Sequence, residues 1–167
     1  AVIYLREKGL ADSKKRSGKE ANEGTIGDYI HYQQDRAVAG VLVELACETD
    51  FVAKSEEFKE AAKQIAMHIA AMKPAYLNIE EVPESKVNEE KDIIKKQSEN
   101  EGKPQEVIDK IVEGKITSFY SDTVLNEQIF CNPELYEGTV GNMIDEMSGK
   151  LGEKIYIKQF SHIEIGT

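Results

Sequence analysis

The stretch VLVELACETDFVAK, residues 41–54, decides the fold, because a strand pattern gives way to a helix pattern inside it. In its first half Val41, Val43, Leu45 and Cys47 recur at every second position. That alternation is typical of a β-strand with one buried face. The sequence therefore predicts a strand that ends near Cys47 and leads directly into a helix.

The predicted helix begins near Val52 and carries an apolar stripe at helical spacing. The stripe consists of Phe58, Ala61, Ala62, Ile65, Ile69 and Met72. Lys73 followed by Pro74 is predicted to end it, because the residue before a proline disfavours helical geometry. This is the strongest helix pattern in the chain.

The junction itself places an acidic residue beside a large aromatic, Asp50 and Phe51. In one interpretation Thr49 or Asp50 caps the helix and Phe51 packs into the core. In the other, Phe51 lies at the rim of the sheet, where an aromatic beside a carboxylate is typical of a protein-binding hot spot. The pattern alone leaves both open.

Further strands are predicted on either side of this stretch. Upstream, residues 25–33 place Ile26, Ile30 and Tyr32 on one face, and a turn around residues 34–37 makes a hairpin with the first strand. At the far end of the chain a third strand is predicted. Its shared face holds Ile155, Ile157, Ile163 and Ile165.

The remaining segments are predicted to be mainly helical. Residues 1–23 read as a helix broken at Gly9 and stopped by Gly24, and residues 85–120 as two helices that fold back on each other. A last helix is predicted to follow Thr139 as its cap.

The fold class is therefore α+β: a three-stranded antiparallel sheet packed against helices, with a protruding antiparallel helical hairpin. We divide the chain into a helical remnant or linker at 1–23, a core at 24–84 and 121–167, and the hairpin at 85–120. The core is expected to bind a partner or a second copy.

Composition excludes several kinds of function. A formal net charge of -10 repels phosphate backbones, so direct nucleic-acid binding is not expected, and no apolar run is long enough to cross a membrane. The glycines lack phosphate-loop spacing, and the histidines and cysteines lack metal-ligand spacing. Cys47, on the inward face of its strand, is more typical of a small buried residue than of a nucleophile. No cofactor, metal or catalytic residue is expected.

Several motifs occur in an order that resembles bacterial elongation factor Ts, of the short type with a single core. They are LREKG near the start, VLVELACE before TDFVA, IAMHIAAMKP in the helix, and LNEQIF with TV after it. The resemblance implies a guanine-nucleotide exchange factor that binds elongation factor Tu, not an enzyme. It further implies that Asp50 and Phe51 contact the partner's nucleotide domain near the magnesium and phosphate site, with Thr49 and Val52 holding this tip.

The same resemblance implies a second contact surface, with candidates Ala39, Gly40, His68 and Phe130. From the residues alone, His68 is more typical of a packed or half-exposed helix position. Gly40 equally fits a strand kink, and Phe130 equally fits a core position. The short type also implies a homodimer, and a location in the cytoplasm or an organellar matrix. The alternative function is an interaction module that binds the same or another protein without promoting exchange.

Overall fold

The computed structural model describes residues 2–167, apart from the side chains at positions 2, 5, 6, 9, 10 and 13. The helices are α1 Val2–Arg16, α2 Asp50–Ala53, α3 Glu56–Met72, α4 Glu84–Asn100, α5 Gln105–Thr123 and α6 Val140–Leu151, and the strands are β1 Glu23–Gln33, β2 Arg36–Cys47 and β3 Tyr156–Glu164. The chain forms two compact units, the first ending at Lys73 and resuming with Ile129–Thr167, the second being Pro74–Gln128.

The three strands form one antiparallel sheet in the order β1, β2, β3, which confirms the predicted α+β class. A tight turn joins β1 to β2, and Gln34 adopts a positive φ of 58° there. Val41, Val43, Leu45 and Cys47 are all buried, as their alternation predicts. The face of β2 that carries these four residues is therefore the face on which the core packs.

The buried face of β1 is the opposite of the one its isoleucines indicate. Ile26 and Ile30 are exposed, whereas Gly27 between them is buried. A β-carbon on Gly27 would fall 2.2 Å from the carbonyl oxygen of Ala62, so α3 packs directly on the bare backbone of the strand. Close packing of a helix on glycine, not an apolar side chain, determines which face turns inward.

In β3 the predicted single apolar face is wrong. Ile157 is buried, yet Ile163 is 72% exposed although the two are an even number of residues apart. The register explains the reversal, because Glu44 pairs with Gln159 while the next residue, Leu45, pairs with Ile157. The extra residue is a β-bulge, and it shifts the alternation by one position.

The helix after β2 is interrupted where the sequence predicts continuity. The four-residue helix α2 ends at Ala53, and α3 begins after Ser55, whose hydroxyl accepts a hydrogen bond from the N–H of Phe58. α3 ends as predicted at Lys73, which is in the left-handed conformation with φ 48°. Each helix therefore has its own cap, and α2 is a separate element.

The second unit contains the predicted helical pair. Its helices α4 and α5 contact each other and are joined by residues 101–104. Ile94 and Ser98 of α4 and Ile108 and Ile116 of α5 are buried. The structure is consistent with the predicted hairpin.

The helices α1 and α6 of the first unit differ in how well the sequence predicts their bounds. α1 is one continuous helix across Gly9, and it ends at Arg16, well before Gly24, which lies in β1 and pairs with Ala46. The predicted break and stop are both wrong, because glycine permits helix geometry and is equally suited to a close strand contact. By contrast, Thr139 caps α6 as predicted, by accepting a hydrogen bond from the N–H of Asn142.

Candidate partner-binding site

The tip of the first unit is residues 48–53, between β2 and α3, and its most prominent side chain is Phe51. This ring is 82% exposed, the largest exposed fraction among the large hydrophobic residues that the structure describes. Its neighbours Val52 and Ala53 are buried and hold α2 against the unit. An exposed aromatic held next to two buried anchors is the arrangement typical of a hot-spot residue, so Phe51 is the leading candidate for a contact with another molecule.

The cap ahead of Phe51 is Thr49. Its backbone is extended, with φ −121° and ψ 150°, and its hydroxyl accepts a hydrogen bond from the N–H of Val52 at 3.3 Å. Of the two capping residues that the sequence allows, the structure selects Thr49. The cap therefore fixes the start of the turn that carries Phe51.

Asp50 lies in the first turn of α2 and is exposed. Its carboxylate accepts a hydrogen bond from Lys54 at 2.8 Å. That hydrogen bond and the charge of Lys54 lower the pKa of Asp50, so the tip carries a carboxylate at neutral pH. Being exposed, it remains accessible for a polar contact with a partner.

Glu153 is a member of the tip that the sequence analysis missed. One of its carboxylate oxygens accepts hydrogen bonds from the N–H groups of Glu48, at 3.1 Å, and Thr49, at 3.0 Å, and the other accepts from the Thr49 hydroxyl at 2.6 Å. Since Glu153 is 104 residues from Thr49, no local pattern connects them. The one available signal is its position just after the glycine that ends α6.

Cys47 lies beneath the tip and is fully buried. Burial, and secondarily the charge of Glu153, raise the pKa of its thiol to about 11. Its sulfur donates a hydrogen bond to the carbonyl of Thr49 at 3.2 Å. A protonated, buried thiol is a poor nucleophile, so Cys47 serves as a packing residue.

Ala39 and Gly40 lie far from this tip, near the start of β2. From Ala39 to Cys47 the strand spans about 26 Å at 3.3 Å per residue. Ala39 pairs with Glu164 of β3, and Glu164 forms an ion pair with Lys73 at the end of α3. Ala39 and Gly40 are therefore separated from the tip by most of the length of β2.

His68 and Phe130 are together, and both are buried. Their rings stack at a centroid distance of 5.6 Å, and the Nδ1 atom of His68 accepts a hydrogen bond from the N–H of Cys131 at 3.1 Å. Neither side chain reaches the surface, with exposed fractions of 0% and 2%. They support the loop at residues 129–132, in which Ile129 is exposed.

The described part of the chain contains neither a cluster of metal ligands nor a membrane-spanning helix. Among the side chains that the structure describes, no three His, Cys, Asp or Glu residues are grouped so that they could hold a metal ion. Within residues 2–167, no helix combines the length and the apolar composition that a membrane span requires.

Comparisons with known proteins agree on one family. The family model for Elongation factor TS matches residues 12–167. The chain is 47% identical to Elongation factor Ts of Caldanaerobacter subterraneus over 99% of its own length and 80% of the relative's. The corresponding protein of Coprothermobacter proteolyticus is 46% identical and that of Fervidobacterium nodosum 45%, each over 99% of this chain and 82% of the relative.

Proposed function

The chain belongs to the elongation factor Ts family, a family of translation elongation factors, and from this premise we propose that it is a guanine-nucleotide exchange factor for elongation factor Tu. In this proposal it binds that partner and promotes release of GDP, without catalysing a chemical reaction. The observation that carries the proposal is the exposed ring of Phe51 at a capped, anchored tip.

The physical basis of exchange is linkage between two ligands of one protein. If the factor weakens the affinity of elongation factor Tu for GDP, then GDP weakens the affinity for the factor by the same ratio. An aromatic anchor is worth about 2 to 4 kcal/mol at an interface, which corresponds to a factor of about thirty to several hundred in affinity. Insertion of Phe51 near the magnesium and phosphate site is therefore sufficient to offset lost nucleotide contacts.

The second contact surface of the proposal lies apart from the tip. Ala39 and Gly40 contribute to it through the sheet, while His68 and Phe130 contribute by supporting the loop at residues 129–132. Because both rings are buried, we assign them a supporting role and assign direct contact to exposed residues of that loop, such as Ile129. The proposed place of action is the cytoplasm or an organellar matrix, where translation occurs.

The alternative is an interaction module that binds elongation factor Tu, or another protein, without accelerating release. Stopped-flow measurement of fluorescent GDP leaving elongation factor Tu separates the two, with binding followed in parallel by calorimetry. The proposal expects faster release with increasing factor, lost in Phe51→Ala. Tyr4→Ala is the matched control, because Tyr4 is an aromatic that is 67% exposed outside the tip.

One outcome contradicts exchange activity, and another contradicts the role of the tip in it. Tight binding with an unchanged release rate favours the module. Equal loss of acceleration in Phe51→Ala and Tyr4→Ala indicates that the tip has no special part in release.

We further propose a homodimer, in which two copies meet through the outward face of the sheet. Exposed apolar residues form a row across that face, because Ile30 pairs with Gly40 and Gly40 with Ile163. Leu42 beside them is 54% exposed. A second copy presents the same surface, so each apolar row can cover the other.

Sedimentation velocity tests the dimer. We expect wild type to sediment as a dimer and the double variant Leu42→Asp with Ile163→Asp as a monomer. Ile93→Asp is the control, since Ile93 is 46% exposed on α4 in the second unit. A monomeric wild type, or a double variant that still dimerises, contradicts this interface.

A further inference from the structure

We propose that Glu153 is a positioning residue for Phe51, which holds the backbone ahead of α2 so that the ring is presented in one orientation. This inference deepens the proposed exchange function and rests on it. Glu153 belongs to the turn between α6 and β3, far along the chain from the tip. It acts on Phe51 only through the tip backbone.

The carboxylate of Glu153 satisfies three donors at once: the N–H groups of Glu48 and Thr49 and the hydroxyl of Thr49. Hydrogen bonds to a charged acceptor are about twice as strong as those between neutral groups. Thr49 in turn caps α2. Thr49, the N-cap of α2, is thus held through its backbone N–H and through its side-chain hydroxyl.

Glu153 is itself held by a rigid element. The buried hydroxyl of Ser148 donates a hydrogen bond to the carbonyl of Glu153, and Gly152 ends α6 in the left-handed conformation with φ 71°. The N–H of Gly152 donates to the carbonyl of Ser148 at 2.9 Å. A group that positions a site is most effective when its own geometry is fixed in this way.

A second hydrogen bond joins the same two segments with the donor and acceptor roles exchanged. The N–H of Lys154 donates to the carboxylate of Glu48 at 3.0 Å. The ammonium of Lys154 donates to the carbonyls of Ser17 and Lys19. Residues 48–49 and 153–154 therefore hold each other through two glutamates, and we call this arrangement the clasp.

The clasp acts on the start of α2, whereas buried Val52 and Ala53 hold its last two residues. A helix of four residues has no stability of its own, and the ring of Phe51, which is 82% exposed, contributes little packing. Without the clasp the backbone that carries the ring samples more conformations, and binding must then restrict it to one. Loss of the clasp is expected to weaken the productive complex and to leave the core packed.

The test compares Glu153→Ala, Glu153→Gln and the control Glu106→Ala, which removes an exposed glutamate from α5 in the second unit. For each we measure acceleration of GDP release from elongation factor Tu and amide hydrogen exchange at Glu48 and Thr49. Each Glu153 change is also made in a Phe51→Ala background. Glu153→Gln keeps the shape of the side chain and one acceptor oxygen, so it takes the place of Glu153→Ala in the test if the alanine variant does not fold.

We expect the half-saturating concentration of Glu153→Ala to rise about tenfold, with Glu153→Gln intermediate and Glu106→Ala unchanged. The two amides should exchange at least about tenfold faster in Glu153→Ala, because their acceptor is gone. In the Phe51→Ala background, where acceleration is lost, binding to elongation factor Tu is measured by calorimetry; the Glu153 changes should weaken this binding no further, since Glu153 acts through Phe51.

Different results overturn the two proposals. If wild type binds elongation factor Tu without accelerating release, the proposed function fails, while amide exchange still reports on the clasp. If wild type accelerates release but the Glu153 variants match Glu106→Ala, or weaken binding as much in the Phe51→Ala background as with Phe51 present, the positioning role of Glu153 is wrong.

Discussion

Phe51 and Phe58 are seven positions apart and have opposite environments. Phe51, on α2, is 82% exposed, whereas Phe58, in the first turn of α3, is fully buried. Each follows a hydroxyl cap, Thr49 or Ser55, so local capping does not distinguish them. The packing of the two helices does distinguish them: Phe58 lies on the buried face of α3, whereas the buried side chains of α2 are Val52 and Ala53, which leaves Phe51 in solvent.

The largest effect expected from this comparison is on stability. Phe58→Ala should lower the free energy of unfolding by about 3 to 5 kcal/mol, because it leaves a cavity in the core. Phe51→Ala should change it by less than about 0.5 kcal/mol, as a surface substitution. Urea unfolding of both variants measures the difference, and similar losses would contradict the assignment of the two rings.

The packing of α3 against β1 offers a second contrast, between two glycines. Gly27→Ala should lower the free energy of unfolding by about 2 to 3 kcal/mol through overpacking, because the added carbon meets the backbone of Ala62. Gly114→Ala in α5 meets nothing within 4 Å and should raise it by up to about 1 kcal/mol. The same change from glycine to alanine should therefore lower the free energy of unfolding at one position and raise it at the other. A neutral Gly27→Ala would show that the strand and helix can separate there.

The pH dependence of stability tests the burial of Cys47 beneath the tip. The folded state keeps the thiol proton up to about pH 11, whereas the unfolded state loses it near pH 9. Between these values the unfolded state binds fewer protons, so stability falls as pH rises. Wild type should lose about 2 kcal/mol more than Cys47→Ala over this range, measured by urea unfolding at each pH. Parallel curves would contradict a buried, protonated thiol.

The smallest effect is expected at the exposed pair of Asp50 and Lys54. Lys54→Ala should shift the melting temperature by no more than about 1 °C, because exposed ion pairs contribute little. The pKa of Asp50 should rise toward its ordinary value, since Lys54 holds it down. Carboxyl NMR titration measures this change. An Asp50 pKa that does not move would show that the pair does not persist in solution.

Much of the first unit could be predicted because its signals are local. The alternation of β2, the cap at Thr49 and the stop at Lys73 each depend on residues that are close together in the chain. The exposure of Phe51 was one of two open interpretations, and periodicity could not decide between them. The structure decides it, because Phe51 is exposed while its neighbours Val52 and Ala53 are buried.

The features that could not be predicted depend on distant partners. The bulge in β3 is visible only in its pairing with β2, and it reverses the face on which Ile163 lies. Which face of β1 is buried depends on the close approach of Ala62 to Gly27. Glu153 and Thr49 are 104 residues apart, so the sequence around one gives no sign of its contact with the other. Similarly, the hydrogen bond from the N–H of Cys131 to His68 joins residues that are 63 positions apart.

The central claim is that the ring of Phe51 contacts elongation factor Tu, and crosslinking measures this most directly. A photoreactive benzoylphenylalanine at position 51, with the same residue at position 4 as control, is irradiated in the bound complex. We predict a crosslink from position 51 to the nucleotide domain of elongation factor Tu, in far higher yield than from position 4. Equal yields from the two positions, with binding intact, would contradict the account.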